Sequence, residues 1–476
     1  MARENPHAVN FTPTAVKIYA VNSNKALLIT DMVMRFDYFE DIFCPSIAAT
    51  LDIVDNGENL VSSLPIQGFE KVEVELKDSK NVTHTYEFRV FKISNRFSAE
   101  RFQTYNLGLI SLEALYNEGV RVPKTLQEKP EQIASNLLKE YLKTNKDVFV
   151  DPSTYKISFN PGKKTVFSII NHLQSKAVPS SSKSSLSKVA SVSATGSGAV
   201  ARTGITPNTP IPSTDSGSYD ESSGTAGYLF YENRDGYFFK SIDKLCSKEN
   251  ENIGTYYLEP EAKQSDPTKR IFDMDYNSEL DVMAKLRMGA YSSLICFYNF
   301  STGAYEEYVY SLSNSFSNMN HLGSQDRLGA GQKELSKYPT RIMSMLLDHE
   351  TWFNESTIAS PEKRDQAGST TTPFPDFQKN YMAQSISRIA SLSNQKLNIQ
   401  IAGDPSIAIG KKITVKLPNQ IPTKNRTQVA YDPEHSGDYL ISKVNHVFDF
   451  KNKVTNTWMS LIRDTYGSSE IASEVK

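Results

Sequence analysis

Two widely separated segments of this chain follow one pattern, and that restricts its fold more than any other feature. Glu87–Leu107 (EFRVFKISNRFSAERFQTYNL) lies on Asp438–Trp458 (DYLISKVNHVFDFKNKVTNTW) without a gap. Phe88 then meets Tyr439, Val90 meets Ile441, Lys92 meets Lys443 and Ile93 meets Val444. Further on, Phe97 meets Phe448, Thr104 meets Thr455 and Leu107 meets Trp458. Upstream, the alternating run Val72–Leu76 matches Ile413–Leu417 in character. Alternation of apolar and polar residues marks a half-buried strand. Any two strand pairs share that period, but the period does not account for the shared Lys, Phe and Thr positions. Both regions read strand, loop, long strand, bend, closing strand. The chain is therefore expected to hold two copies of one β unit, with the residues between them inserted.

With 476 residues, the chain has length for about three domains. Residues 1–115 form the first β unit, with strands also at Ser46–Asp52 and Tyr105–Ile110 and turns at Asn56-Gly57 and Gln67-Gly68. Residues 116–178 change to a helical period. Thr125–Glu128 has the form of a capping box, while Pro130 equally suits a first helical turn. Ile133, Leu137, Leu138 and Tyr141 follow at helical spacing, and Phe167, Ile170 and Leu173 mark a second short helix. Residues 179–227 are dominated by Ser, Thr, Gly and Pro, a composition too poor in apolar surface to offset chain ordering, and read as a flexible insertion.

Residues 228–311 read as a mixed α/β segment. It opens with a hairpin, Tyr228–Tyr231 and Tyr237–Phe239 around Asn233–Gly236. A short helix capped by Ser278 and stopped at Gly289 precedes strands at about 291–299 and 304–311. Residues 312–375 read as a polar insertion. Residues 376–476 form the second β unit, after a helix opened by Asp376 and carrying Met382, Ile386, Ile389 and Leu392. The expected fold class is α+β, mainly β: two tube-like β-barrel or sandwich domains separated by an inserted mixed α/β middle region.

Catalytic and metal signals fail on spacing. Asp348-His349-Glu350 lacks the second His of a HExxH helix, because Phe353 stands there. Asp273-Met-Asp275-Tyr-Asn277 imitates the start of a calcium loop, but Ser278 and Ala284 replace the required Gly and Glu. Gly329-Ala-Gly331-Gln-Lys333 lacks the phosphate-loop spacing. Cys44, Cys246 and Cys296 are odd in number and far apart, so three reduced, mostly buried thiols are expected. No catalytic, cofactor-binding or metal residue is nominated, no cofactor is expected, and the chain does not read as an enzyme. Lys+Arg number 52 and Asp+Glu 54, a net charge of −2 that excludes a chain-wide basic footprint for gripping nucleic acid. No apolar run approaches the ~20 residues of a membrane helix, and the opening Met-Ala-Arg-Glu-Asn-Pro carries no apolar signal region.

The C-terminal stretch LNIQIAGDPSIAIGKKITVKLPN, followed by SGDYLISKVNHVFDFKNKVTNTWMSLIRD, resembles the closing tube-like domain of the central baseplate hub proteins of contractile-tailed bacteriophages. Ile409-Gly410, Gly437-Asp-Tyr439, Val444 and His446 carry the resemblance. MVMRFDYFEDIFCPSIAATLDIVDN is similar to the opening domain of the same family, and Lys164–Ile170 with Tyr228–Phe239 to its middle domain. The resemblance covers roughly 1–120, 163–311 and 380–465.

It implies a structural viral tail protein that forms a homotrimer with two tube-like domains per subunit. The ring would adapt a six-fold tail tube to a three-fold central spike and form part of the DNA conduit during virion assembly and DNA ejection. Implied partners are the protein itself, the tail tube or tube-initiator protein, the central spike and other baseplate proteins. DNA would pass without sequence-specific binding. The implied location is the virion's tail baseplate, assembled in the host cytoplasm. Two other readings stay open: a hub or spike component of a contractile secretion machine, and a tail-associated cell-wall hydrolase hidden in 312–375.

Overall fold

The structure is a computed structural model. It describes residues 9–467 apart from 22–24, 57–65, 100–101, 155, 181–225, 259–266, 277–280, 300–304, 324, 326–327, 348–350, 354–376, 419–430 and 433. Most of the Ser-rich run, Asp348–Glu350 and Asp376 lie outside the described residues.

In chain order the first β unit holds β1 (Val9–Asn10), β2 (Thr12–Tyr19), β3 (Ala26–Leu28), β4 (Val33–Asp41), β5 (Ala48–Asp55), β6 (Lys71–Lys77), β7 (Thr83–Ser98) and β8 (Gln103–Ile110). The middle region follows with α1 (Leu112–Gly119), β9 (Leu126–Glu128), α2 (Pro130–Glu140), β10 (Asp147–Val150), β11 (Lys156–Phe159) and α3 (Val166–Gln174). After the Ser-rich run come β12 (Tyr228–Asn233), β13 (Gly236–Ser241), α4 (Ile242–Cys246), β14 (Asn252–Tyr257) and β15 (Ile271–Tyr276). Then come α5 (Val282–Met288), β16 (Ser292–Asn299), β17 (Tyr305–Ser311), α6 (Leu312–Ser315), α7 (Ala330–Leu335), β18 (Arg341–Leu347) and β19 (Thr351–Phe353). The chain closes with α8 (Phe377–Ser391), β20 (Gln395–Ala402), β21 (Lys412–Lys416), β22 (Gly437–Asp449) and β23 (Val454–Arg463). The class is α+β and mainly β, as the alternating segments require.

Local chemistry decides several of these ends. Leu126–Glu128 is a strand, not a capping box; α2 starts at Pro130, whose missing N–H falls where a helix has no use for one. α5 is capped by Asp281, whose side chain accepts from the Ala284 N–H at 2.8 Å, so the cap is not Ser278. Asp273 and Asp275 sit on strand β15, which rules out the folded calcium loop their spacing imitates. The hairpin β12–β13 turns through Arg234-Asp235 as its composition predicts. Among the cysteines only Cys246 is buried; Cys44 is exposed and Cys296 half-buried.

Both β units use one strand order. The first runs β4-β5-β8-β7-β6-β2. The second runs β15-β20-β23-β22-β21-β14. In chain order both read second, third, sixth, fifth, fourth, first. The second unit therefore starts at β14, not at residue 376. Everything between β15 and β20, including the β17-β16-β18 sheet and helix α8, is an excursion between its second and third strands. Part of the expected polar insertion 312–375 is thus ordered: β18 lies parallel beside β16, and β19 pairs with β11. The units differ at their first strand, which runs antiparallel to β6 in one and parallel to β21 in the other.

The likeness reaches single residues. A β-bulge, one extra residue that bends a strand, falls between Val90 and Lys92 in β7 and between Ile441 and Lys443 in β22, which are aligned positions. Another falls between Val33 and Arg35 in β4 and between Ile271 and Asp273 in β15. Ahead of the long strand, Phe69 (φ 80°) and Gly410 (φ 82°) are both left-handed. Their N–H groups donate to the equivalent carbonyls of Val90 (2.7 Å) and Ile441 (3.1 Å). The ungapped alignment slips at its end. β7 has a second bulge between Ser94 and Phe97, so Phe97, Thr104 and Leu107 take the places of Val447, Asn456 and Met459, not those of Phe448, Thr455 and Trp458. Leu107 and Met459 are buried, whereas Trp458 is exposed.

Candidate assembly interface

The two units meet edge to edge. The later half of β22 leaves its own unit and pairs antiparallel with β4 of the first, from Lys443↔Asp41 through Phe448↔Phe36 to Asp449↔Arg35. One sheet thus runs through both units. Along β22, side chains alternate between the joint and the opposite face. Phe448 stacks on Phe36 with ring centroids 5.7 Å apart, and Phe11 packs edge-on against both Phe448 and Phe450. Phe448 and Phe450 belong to the first unit's core although the second unit supplies them. His446 stacks on Tyr38, and Lys443 reaches Asp41 at 2.8 Å.

A buried carboxylate clasps the joint. Glu40 on β4 accepts from the Tyr38 hydroxyl (2.7 Å), the Arg234 N–H of the hairpin (3.0 Å) and the Ile409 N–H of the second unit (2.9 Å). Burial pushes its carboxyl up to about 7, against these hydrogen bonds, which favour the charged form. Arg234 also donates to the Pro405 carbonyl (2.7 Å) and meets His84 Nδ1 (2.9 Å). His446 is buried between Thr457 and the Ile407 carbonyl, and burial lowers it to about 4.

A second cluster ties the excursion to the second unit. Arg388 on α8 donates to Asp464 (2.7 Å) and reaches Asp243 (3.4 Å), while His321 Nδ1 meets Asp464 (2.8 Å). Burial works to raise Asp464, but Arg388 foremost and His321 hold it at about 2. None of Glu40, Arg234, Arg388 and Asp464 was nominated from sequence. Ile409 lies 369 residues from Glu40 and Asp464 lies 76 from Arg388, so no local spacing marks these contacts.

Two halves of the same joint have no strand partner on one side among the described residues. The equivalent of β4 is β15, the last strand on its side. The equivalent of the later half of β22 is Lys92–Ser98 of β7, which pairs with β8 on one side and, among the described residues, with no strand on the other. Phe448 on the covered edge is 0% exposed, and Phe97, one place earlier on the open edge, is 60% exposed. The sequence placed Lys92 and Lys443 at one position; Lys443 has its acid at the joint, and Lys92 stands exposed at the open edge. Among the described residues no three His, Cys, Asp or Glu side chains are grouped to hold a metal ion, and no helix is long and apolar enough to cross a membrane.

No family model and no curated protein matches this sequence. Similar solved structures include a tail protein from Neisseria meningitidis MC58, with 12% identity, 96% of this chain and 97% of that one covered, and a TM-score of 0.49. The 43 kDa tail protein of prophage MuSo2 from Shewanella oneidensis has 9% identity, covers 95% and 98%, and scores 0.47. The prophage tail protein gp18 from Listeria monocytogenes EGD-e has 9% identity, covers 97% of each chain, and scores 0.44.

Proposed function

We propose that this chain is a structural hub of a contractile-tail baseplate: a homotrimeric ring that adapts a six-fold tail tube to a three-fold central spike and lines part of the DNA conduit. The observation that carries the reading is the edge-to-edge joint between two β units of one strand order. A joint between equivalent units that leaves its two complementary halves open is heterologous, and such contacts close into rings when the rotation permits. Three chains with two units each would present six similar surfaces to a tube on one rim. The middle region, present once per chain, would break that symmetry to three-fold toward a spike on the other rim.

The hub's work in this reading is binding and positioning without catalysis. A net charge of −2 suits a conduit, because phosphate attraction in a strongly basic bore would hold DNA. Light scattering on the purified chain, with symmetry averaging of particle images, tests the reading. A three-fold ring around a channel is the expected result, and a two-fold or five-fold particle overturns it. Peptidoglycan incubated with the protein should stay intact; cleavage would return the hydrolase reading.

A further inference from the structure

We propose that Lys146 and Glu232 become joined by an amide between Nζ and Cδ, an isopeptide crosslink inside the chain, with Glu113 carrying the proton. The proposal concerns a single chain and does not depend on how copies assemble.

Three parts of the middle region bring the groups together. Lys146 precedes β10, Glu113 lies on α1 and Glu232 on β12. Lys146 Nζ stands 2.5 Å from Glu232 Oε1 and 2.8 Å from Glu113 Oε2. Both carboxylates are buried, and Lys146 enters from the surface with a half-buried stem. Their other oxygens are held as well. The Ile47 N–H of the first unit donates to Glu232 Oε2 (3.1 Å), and the Thr144 hydroxyl donates to Glu113 Oε1 (2.7 Å). Tyr237, directly across from Glu232 in the hairpin, sets its ring 5.7 Å from the amine. An amine fixed against a carboxyl needs no encounter to react. Burial also favours the uncharged forms of both partners, which are the reactive ones.

The two carboxylates are not alike, and that assigns their roles. Burial raises Glu232, so it is the one that accepts a proton and becomes the acid. Burial works to raise Glu113 too, but Lys146 foremost holds it below its ordinary value, so it stays a carboxylate and serves as the base. Burial works to lower Lys146, while Glu232 and then Glu113 raise it, so the resting form is the ion pair.

From that form, one proton passes from Nζ to Glu232 Oε1 and leaves an amine beside an acid. The nitrogen attacks Cδ, and the Ile47 N–H steadies the charge that gathers on Oε2. Glu113 takes a proton from the nitrogen and gives it to Oε1–H, which departs as water. One N–C bond forms, one C–O bond breaks, and nothing is oxidised or reduced. Tyr237 lies beside Glu232 and Ser111. The Tyr237 and Ser111 hydroxyls are buried with no hydrogen-bond partner among the described residues, so they can hold the departing water. The bond would span 86 residues and fasten segment 116–178 to the hairpin across the Ser-rich run.

The test is the mass of the full chain, purified and denatured. The expected result is a chain about 18 Da lighter than its sequence, one water lost, with a branched tryptic peptide joining 144–156 to 203–234. A chain at its sequence mass, with only unbranched peptides, overturns the proposal without need of a variant. A lighter chain that lacks the branched peptide has lost water elsewhere and overturns it too. Lys146→Arg should stay at its own sequence mass. Glu113→Gln should slow crosslinking at least tenfold, and an unchanged rate would overturn the role given to Glu113.

Discussion

Lys92–Ser98 and Lys443–Phe448 are the same edge in two copies of one β unit, and their aromatic residues Phe97 and Phe448 live in opposite surroundings. Phe448 is sealed between Phe36 and Phe11, whereas Phe97 stands in solvent beside Phe102. Both strands share one bulge and pair with the equivalent closing strand, and β7 has a second bulge that puts Phe97 in the place of Val447. Beyond that shift, the edges differ in cover: β4 covers β22, and no described strand of the chain covers the end of β7. Equivalent edges with unequal cover show that burial along this edge depends on the neighbouring unit as well as on the unit itself. Where a neighbour is supplied the aromatic becomes core.

The strongest way to break this comparison is to delete both rings. Phe448→Ala should cost about 3–5 kcal/mol, the usual range for a buried Phe. Phe97→Ala should change the dilute chain by no more than about 0.5 kcal/mol. Denaturant unfolding at low protein concentration reads both, and equal costs would show that the two positions are not in unlike surroundings.

Next in size is the titration of the joint. Glu40 is raised to about 7 from its ordinary value of 4.5. Its contribution is therefore fully present below about pH 4.5 and is lost as pH rises through about 7. Relative to Glu40→Gln, the parent should lose about 3 kcal/mol between pH 4.5 and 8. A flat difference across that window would show an ordinary carboxylate.

Smaller is the contrast between the two left-handed residues. A Cβ at Gly410 would meet the Tyr231 hydroxyl as well as the strained φ of 82°. Gly410→Ala should therefore cost about 2 kcal/mol or more. Phe69→Ala keeps its backbone strain and loses a ring contact with Tyr116, so the change should stay within about 1 kcal/mol. Thermal unfolding of the pair separates them, and a neutral Gly410→Ala would remove the close approach as the reason for glycine. Smallest is Lys443→Glu, which breaks a half-exposed ion pair with Asp41 for about 1 kcal/mol at most and less at high salt. Lys92→Glu should leave the dilute chain unchanged, and salt titration of both stabilities checks the pair.

By itself the sequence determined the two β units, their long central strands and the hairpin of the middle region. These follow from period two, turn residues and shared side chains, which are local and survive in a single line of text. The match of Val72–Leu76 with Ile413–Leu417 holds residue for residue in the structure, because both strands pair with the same stretch of the long strand. Tertiary structure alone decided where the second unit begins, since β14 and β15 join it from across the excursion through sheet hydrogen bonds that leave no spacing in the sequence. It alone corrected Trp458 to Met459, because an added bulge shifts which residues face inward without changing how the segments align. It also brought Glu40 to Ile409 and Arg388 to Asp464, long-range polar contacts made only after the chain has folded around them. The joint belongs with these: the sequence carried Phe97 and Phe448 as equals, and the second bulge of β7 together with the packing of one unit's edge against the other made them different.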